Sequence, residues 1–211
     1  MSEQALSFMS EHLEIEGVIH DPKEGGAKLP GVAFCHPHTL YGGDMHNNVV
    51  VAVSRMLAEK GIYALRFNFR GAGSSEGAFD EGKGEQNDLQ AALNVLIEHP
   101  GVDPDCLGVA GYSFGGLVTL MAAKKLKQVR ALAAVSPVVI PGLMEDLSLP
   151  AYFICGARDN VVSPDLLMRE AEKISPPGEV EILEGIDHFW GGFEKEMAEK
   201  VVAFFTRIIG S

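Results

Sequence analysis

The chain has 211 residues, of which 46% are hydrophobic and 22% are charged, and this composition is typical of a globular protein with a substantial core. We therefore expect a single domain over residues 1–211. The formal net charge of -12 disfavours nucleic acid and anionic membranes as partners, because both would be repelled.

The termini and cysteines point to a cytoplasmic protein. Residues 1–17 carry several glutamates and neither a basic segment nor a long apolar run, so they do not resemble a signal peptide. No apolar run elsewhere approaches membrane-spanning length. Cys35, Cys106 and Cys155 fall in predicted strands without the spacing of a disulfide framework or a zinc site, so we expect buried free thiols.

The hydrophobic pattern divides the chain into strand-like and helix-like segments. Residues 12–21 alternate in polarity as an outer strand does, and we expect them to pair with residues 6–9. The further predicted strands span 31–36, 62–69, 106–112, 129–136, 151–156 and 179–183. The predicted helices span 47–61, 85–99, 115–126, 164–174 and 193–209. This order predicts an α/β fold, with a mostly parallel central sheet and helices on both faces.

Two segments match the G-x-S-x-G pattern of a nucleophilic serine, "GSSEG" at 73–77 and "GYSFG" at 111–115. In the first, the next helical pattern begins only near Glu85, so Ser75 falls in a long loop with no helix N-terminus to stabilise an oxyanion. A dinucleotide-binding loop would also open directly into a helix, which this segment does not. We expect Ser75 to have no catalytic role.

The second segment has the context that the chemistry needs. An apolar strand leads directly into "GYSFG" and a helix leads directly out, so Ser113 lies in a tight strand-to-helix turn, a nucleophile elbow. Such a turn exposes the serine side chain, while Gly111 and Gly115 let the strand and helix approach each other. The N–H of Phe114 at the helix N-terminus then points to where negative charge develops.

A serine also needs a base and a group that orients the base. In this respect the sequence resembles the α/β-hydrolase superfamily, whose catalytic residues run in the order serine, acid, histidine. The resemblance extends from residue 13 to the end of the chain and implies Asp159, after strand 151–156, as the acid and His188, before the last helix, as the base. Asp187 is a poorer candidate, because neighbouring side chains project in different directions.

The loop after the third strand, "FCHPHTLYGGDMHN", resembles the "HG-x" oxyanion segment of the superfamily, with Pro37 in place of the usual glycine. The resemblance implies that His38 supplies the second oxyanion N–H, with Thr39 as the alternative. A competing interpretation is metal binding, by a set of residues in this loop. That set is His36, His38, Asp44 and His46. Because its spacing is not that of a compact ligand set, we expect no metal, and the serine chemistry requires no cofactor.

The segment 137–150 is too short for the lid domain of many superfamily members, so we expect an open site that takes small esters. The resemblance narrows to small lidless bacterial-type hydrolases near the dienelactone hydrolases. Those enzymes use a cysteine nucleophile, so Ser113 favours a carboxylesterase acting on a small-molecule ester. A peptidase or thioesterase with the same residues, and a non-catalytic binding protein on this scaffold, are the alternatives.

Several other side chains have weaker interpretations. We expect Arg70 to tie down its loop rather than bind substrate. Phe189 and Trp190, beside His188, fit the site wall and the core equally well. We expect the three remaining histidines to be solvated; these are His12, His20 and His99.

Overall fold

A computed structural model of the protein describes residues 2–22 and 28–210. Eight strands form one sheet in the order β1-β2-β4-β3-β5-β6-β7-β8. The strands are β1 (Ser2–Ser10), β2 (Leu13–Asp21), β3 (Leu29–Cys35), β4 (Tyr63–Phe67), β5 (Val102–Tyr112), β6 (Val129–Val135), β7 (Ala151–Gly156) and β8 (Glu179–Leu183). The helices are α1 (Asn48–Glu59), α2 (Lys83–Glu98), α3 (Phe114–Ala123), α4 (Pro164–Ala171) and α5 (Glu194–Ile209), with a short 3-10 turn at Thr39–Tyr41.

The sheet is mostly parallel, as predicted. Strands β4, β3, β5, β6, β7 and β8 run parallel to one another, whereas β2 pairs antiparallel with both β1 and β4. Parallel strands end at the same edge, so the loops after β3, β5, β7 and β8 lie together at the carboxyl edge of the sheet.

Helices cover both faces, which is also as predicted. On one face α1 and α5 bury apolar side chains such as Val53 and Phe205 against the sheet. On the other face α2, α3 and α4 do the same with residues such as Leu93 and Val118. The central strands are buried on both sides, which explains why their sequences are continuous apolar runs rather than alternating ones.

Residues 137–150, between β6 and β7, form turns without a helix. This segment therefore adds no lid over the carboxyl edge of the sheet. In the ranges 2–22 and 28–210, no helix combines the length and the apolar character that crossing a membrane would require.

The structure corrects three expectations about burial and bounds. His20 is fully buried rather than solvated, because β1 pairs along the outer edge of β2 and α1 packs over it. Cys106 is half-buried, unlike the buried Cys35 and Cys155. Strand β5 begins at Val102 rather than at residue 106, since Val102 already pairs with Leu29 of β3.

The burial of His20 generates a prediction about stability. Burial, together with the nearby guanidinium of Arg66, which donates from Nε to His20 Nε2 at 2.8 Å, lowers the pKa of His20 from 6.5 to about 4. Between these two values the unfolded chain binds more protons than the folded one, so the free energy of unfolding falls as pH falls from 6.5 towards 4. This one group contributes a slope of up to about 1.4 kcal/mol per pH unit.

We therefore expect His20→Gln, whose side-chain oxygen can still accept from Arg66, to have a shallower dependence of unfolding free energy on pH in this window. Denaturant titrations between pH 5 and pH 7 measure it. The matched control is His12→Gln, at an exposed position, which should leave the slope as in the wild type. An unchanged slope in His20→Gln would contradict the attribution of this pH dependence to the lowered pKa of His20.

Candidate active site

Ser113 lies in the tight turn between β5 and α3. Its backbone is in a strained region for a residue with a side chain, with φ of 55° and ψ of -116°. Two glycines make the turn possible. A Cβ on Gly111 would lie 2.3 Å from the carbonyl oxygen of Gly115, and one on Gly115 would lie 2.2 Å from that of Cys35. The N-terminus of α3 is therefore held directly against the end of β3.

Three side chains from distant parts of the sequence meet at this turn. His188 Nε2 lies 3.0 Å from Ser113 Oγ, and His188 Nδ1 lies 2.8 Å from Asp159 Oδ2. All three residues are buried to at least nine-tenths, with exposed fractions of 7% for Ser113, 9% for Asp159 and 5% for His188. A carboxylate on Nδ1 requires that this nitrogen carries the proton, so Nε2 presents a lone pair to the serine hydroxyl.

Asp159 is held as an ionised acceptor by its surroundings. Burial opposes its ionisation, but the hydrogen bond from His188 and those from the amides of Val162 and Val161 outweigh that effect and lower the pKa of Asp159 below its ordinary value. Those amides donate to Oδ1 at 2.8 and 2.9 Å, which leaves Oδ2 to face the imidazole. The carboxylate is thus fixed in orientation as well as in charge.

Further side chains fix the loop that carries His188, and of these only Trp190 was singled out in the sequence. The Tyr112 hydroxyl donates to the carbonyl oxygen of His188 at 2.8 Å. The indole Nε1 of Trp190 donates to Ser136 Oγ at 3.1 Å, so Trp190 belongs to the core rather than to the site wall. These contacts join β5, the end of β6 and the loop after β8, and so could not be read from local sequence.

Neither side chain adjacent to His188 in sequence is hydrogen-bonded to its imidazole, although the Phe189 ring packs edge-on against it at a centroid distance of 5.6 Å. Asp187 is exposed, and its Oδ1 accepts from the Phe189 amide at 2.9 Å rather than from the imidazole. Phe189 is 65% exposed and lines the cleft above Ser113. The expectation that Asp187 is poorly placed to orient His188 is consistent with this geometry.

The loop after β3 places His38 beside the elbow. The His38 carbonyl accepts from the amides of Tyr41 and Gly43, at 3.1 and 3.0 Å, so it is turned into the loop. In the described part of the chain, the His38 N–H donates to no protein acceptor. Of the two candidate donors, His38 lines the cleft and Thr39 does not, which favours His38.

Phe114 is the first residue of α3, so its N–H has no acceptor within the helix. It therefore remains available beside Ser113 for a negatively charged oxygen. Its ring lies 4.8 Å from the ring of His38 and 5.4 Å from that of Phe79. This aromatic cluster packs the loop after β3 against the helix that carries the elbow.

The histidines of this loop do not form a ligand set. Over residues 2–22 and 28–210, no three His, Cys, Asp or Glu side chains converge as metal ligands would. His36 is fully buried, and its ring is used structurally, with Nε2 accepting from the Phe69 amide at 2.9 Å. Burial lowers the pKa of His36 to about 4, so the ring is neutral near pH 7 and can accept this bond.

Ser75 and Arg70 have structural contacts. Ser75 Oγ donates to the carbonyl oxygen of Asn68 at 2.8 Å, whereas the serine that contacts His188 Nε2 is Ser113. Arg70 Nη2 donates to Asp88 at 2.8 Å and to Glu11 at 3.1 Å, and these bonds raise its pKa. Arg70 thus ties its loop to α2, as expected.

An open cleft of about 380 Å³ leads to Ser113. Its wall is mainly apolar, and the described residues that line it include no Lys, Arg, Asp or Glu. The lining residues are Pro37, His38, Tyr41, Gly42, Gly43, Asn47, Tyr112, Ser113, Val161, His188 and Phe189. At the rim, Tyr41 is 87% exposed, so the wall offers aromatic surface to an entering molecule.

Comparison with known proteins identifies the family. The chain is similar to a lidless α/β serine hydrolase from Xanthomonas campestris, with 30% identity over 98% of this chain and 94% of that one and a TM-score of 0.85. The chain belongs to the α/β serine hydrolases. An α/β serine hydrolase homologue from Coxiella burnetii is 32% identical over 96% of this chain and 97% of that one, also with a TM-score of 0.85.

Two further similarities agree with this α/β serine hydrolase assignment. Residues 49–146 match the prolyl oligopeptidase family, over a segment that includes Ser113 but neither Asp159 nor His188. Est1E from Butyrivibrio proteoclasticus shares the fold, with a TM-score of 0.87 over 98% of this chain and 100% of that one, at 18% identity. A closer relation to the dienelactone hydrolases stays a prediction.

The two G-x-S-x-G serines can be separated by covalent labelling. We expect a fluorophosphonate probe to label Ser113 and to leave Ser75 unmodified, because only Ser113 has a base within hydrogen-bonding distance. Peptide mass spectrometry after labelling locates the modified residue. Ser113→Ala should abolish labelling, while Ser75→Ala should retain it. Labelling that persists in Ser113→Ala would refute the choice of nucleophile.

Proposed function

We propose that this hydrolase cleaves carboxylic esters of small, short-acyl substrates. The observation that carries the proposal is the chain of contacts from Asp159 through His188 to Ser113 at the bottom of an open, uncharged cleft. An anion would meet no cation in this cleft, and the net charge of the chain would repel it. A neutral ester is compatible with both the uncharged cleft and the negative net charge of the chain.

In the proposed acylation step, Ser113 Oγ attacks the ester carbonyl while His188 Nε2 takes the hydroxyl proton. The new C–O bond converts the carbonyl into a tetrahedral oxyanion. The N–H groups of Phe114 and His38 stabilise this charge without reorganisation, because neither donates to an acceptor within residues 2–22 and 28–210. His188 then donates its proton to the departing alkoxide, so that an alcohol leaves and an acyl-enzyme remains. Asp159 holds the Nδ1–H tautomer and stabilises the imidazolium.

Deacylation repeats these steps with water. His188 removes a proton from a water molecule, which attacks the acyl carbonyl, and the same two N–H groups stabilise the second oxyanion. Collapse of this intermediate returns the proton to Ser113 Oγ and releases the carboxylic acid. The cycle is complete with the residues of the chain and water.

The open cleft also supports the substrate class. No segment between β6 and β7 closes over it, so a long acyl chain would lie against solvent rather than in an enclosed tunnel. The exposed rings of Tyr41 and Phe189 at the rim suit a small ester with a flat or aromatic group. Est1E, which shares the fold, was solved with ferulic acid bound.

A second candidate is cleavage of amide bonds. It is favoured by the match of residues 49–146 to the prolyl oligopeptidase family. The same residues would act, with the amine rather than an alcohol receiving the proton from His188. The choice between the two depends on the leaving group that the cleft accepts.

Asp159 and Asp187 provide a test of the proposed acid. Asp159→Asn should keep the fold but lower kcat by about ten-thousand-fold, because the histidine would be held in the wrong tautomer. Asp187→Asn is the matched control, and its kcat should fall by only a few-fold, since that side chain bonds the Phe189 amide. Kinetics with a p-nitrophenyl ester measure both variants. The reverse ranking would show that the acid was assigned incorrectly.

A substrate panel tests the reaction itself. We expect p-nitrophenyl acetate and butyrate to be hydrolysed with a higher kcat/KM than longer-chain homologues, because the open cleft gives little further burial to a long chain. Aminoacyl p-nitroanilides and acyl thioesters are run in parallel. Ser113→Ala, expected to lower kcat by about a million-fold, gives the background. A preference for anilides would favour the peptidase instead.

A further inference from the structure

The non-catalytic segment "GSSEG" has a defined place in the fold. Ser75 is buried, and it both donates to the Asn68 carbonyl at 2.8 Å and accepts from the Glu16 amide at 3.1 Å. Gly73 has φ of 54°, and a Cβ there would lie 2.2 Å from both Asn68 Nδ2 and Glu16 Oε1. The segment therefore wraps closely around the side-chain pair of Asn68 and Glu16.

Asn68 connects this pair to the loop after β3. Its side chain is buried, with an exposed fraction of 1% for the residue. Nδ2 donates to Glu16 Oε1 at 2.6 Å, and Oδ1 accepts from the Met45 amide at 2.7 Å. A carboxylate can only accept, so Glu16 fixes which end of the Asn68 amide faces Met45. The Ser74 amide donates to the same Glu16 oxygen at 2.6 Å and holds the carboxylate in place.

The neighbours of Asn68 hold the same loop. Arg66 Nη1 donates to the Met45 carbonyl at 3.1 Å, so the backbone of Met45 is bonded on both its N–H and its C=O. The Phe69 amide donates to His36 Nε2 at 2.9 Å. Residues 66–69 at the end of β4 thus bind both ends of the loop 36–45, in which His38 lies.

We propose that Asn68 is a positioning residue for the oxyanion site, holding Met45 so that the His38 N–H faces the reacting carbonyl. The inference rests on the proposed ester hydrolysis. Within the loop, the amides of Tyr41 and Gly43 are bonded to the His38 carbonyl, so a shift of the Met45 end is passed on to His38. The segment 73–77 supports this arrangement from the other side of Asn68, without taking part in the chemistry.

The test separates positioning from simple stabilisation. Asn68→Ala removes the acceptor for the Met45 amide, and Asn94→Ala, at an exposed position of α2, is the matched control. A fluorophosphonate titration run to completion gives the concentration of active sites, so kcat and KM refer only to folded enzyme. A trifluoromethyl ketone, which forms a tetrahedral adduct with a serine nucleophile, reports on oxyanion stabilisation.

We expect kcat per titrated site to fall by about ten- to a hundred-fold in Asn68→Ala, less than the loss of about 10²- to 10³-fold for removing an oxyanion donor outright. The inhibition constant of the trifluoromethyl ketone should rise by a similar factor, while KM stays near the wild-type value. Asn94→Ala should match the wild type in kcat, in KM and in the inhibition constant.

Two outcomes would overturn the inference. In the first, kcat per titrated site and the inhibition constant stay at wild-type values even if the melting temperature falls. Asn68 would then only stabilise the fold. The other is a rise in KM at unchanged kcat. If Asn68→Ala gives no folded protein, Asn68→Ser carries the same expectations, because its hydroxyl keeps a polar group but is too short to bridge to Met45. A wild-type protein that neither hydrolyses esters nor is labelled at Ser113 would instead refute the proposed function.

Discussion

The strained turn at Ser113 is the constraint on which the rest of the site depends. A positive φ at a residue with a side chain costs on the order of 1–3 kcal/mol, and it persists only where the surroundings enforce it. Here the apolar strand β5 and helix α3 are both packed in the core, and the turn between them has no room to relax. The stability of the core therefore maintains the conformation in which the serine side chain lines the cleft.

The same turn determines what surrounds the serine. Because α3 starts against the carbonyl oxygen of Cys35, the loop after β3 lies next to the first N–H groups of the helix. The backbone N–H groups of His38 and Phe114, from different parts of the chain, can then donate to one oxygen atom. The proposed acid, Asp159, and the proposed base, His188, lie in the loops after β7 and β8, whose carboxyl ends lie along the same edge. Each group is carried by a separate strand, and the sheet sets the distances between them.

The sequence allowed the fold to be predicted, because strand-like and helix-like segments from residue 31 onwards are short and strongly patterned. The elbow could also be predicted, since the strand, Ser113 and the helix are contiguous. The proposed acid and histidine came from the chain order of the family rather than from local pattern. The burial of His20 and the contacts of Tyr112 and Ser136 could not be predicted, because they depend on partners that are distant in sequence.

The contacts of Asn68 could not be predicted from the sequence for the same reason. In the sequence it is one polar residue between two phenylalanines, and nothing nearby indicates that its amide would bridge Glu16 and Met45. Likewise, the turn glycines of 73–77 could be explained locally, whereas the close approach of Gly73 to that bridge appears only when β2 and β4 are paired.

The absence of a lid-sized segment between β6 and β7 has a kinetic consequence. Enzymes that close over their substrates are often limited by the opening that releases product. In this protein the cleft is open to solvent along its rim, so product departure requires no comparable rearrangement. In the proposed ester hydrolysis, water would also reach the acyl-enzyme as readily as a second alcohol does. Because water is in large excess over any alcohol, equal access would make hydrolysis rather than acyl exchange the main fate of that proposed intermediate.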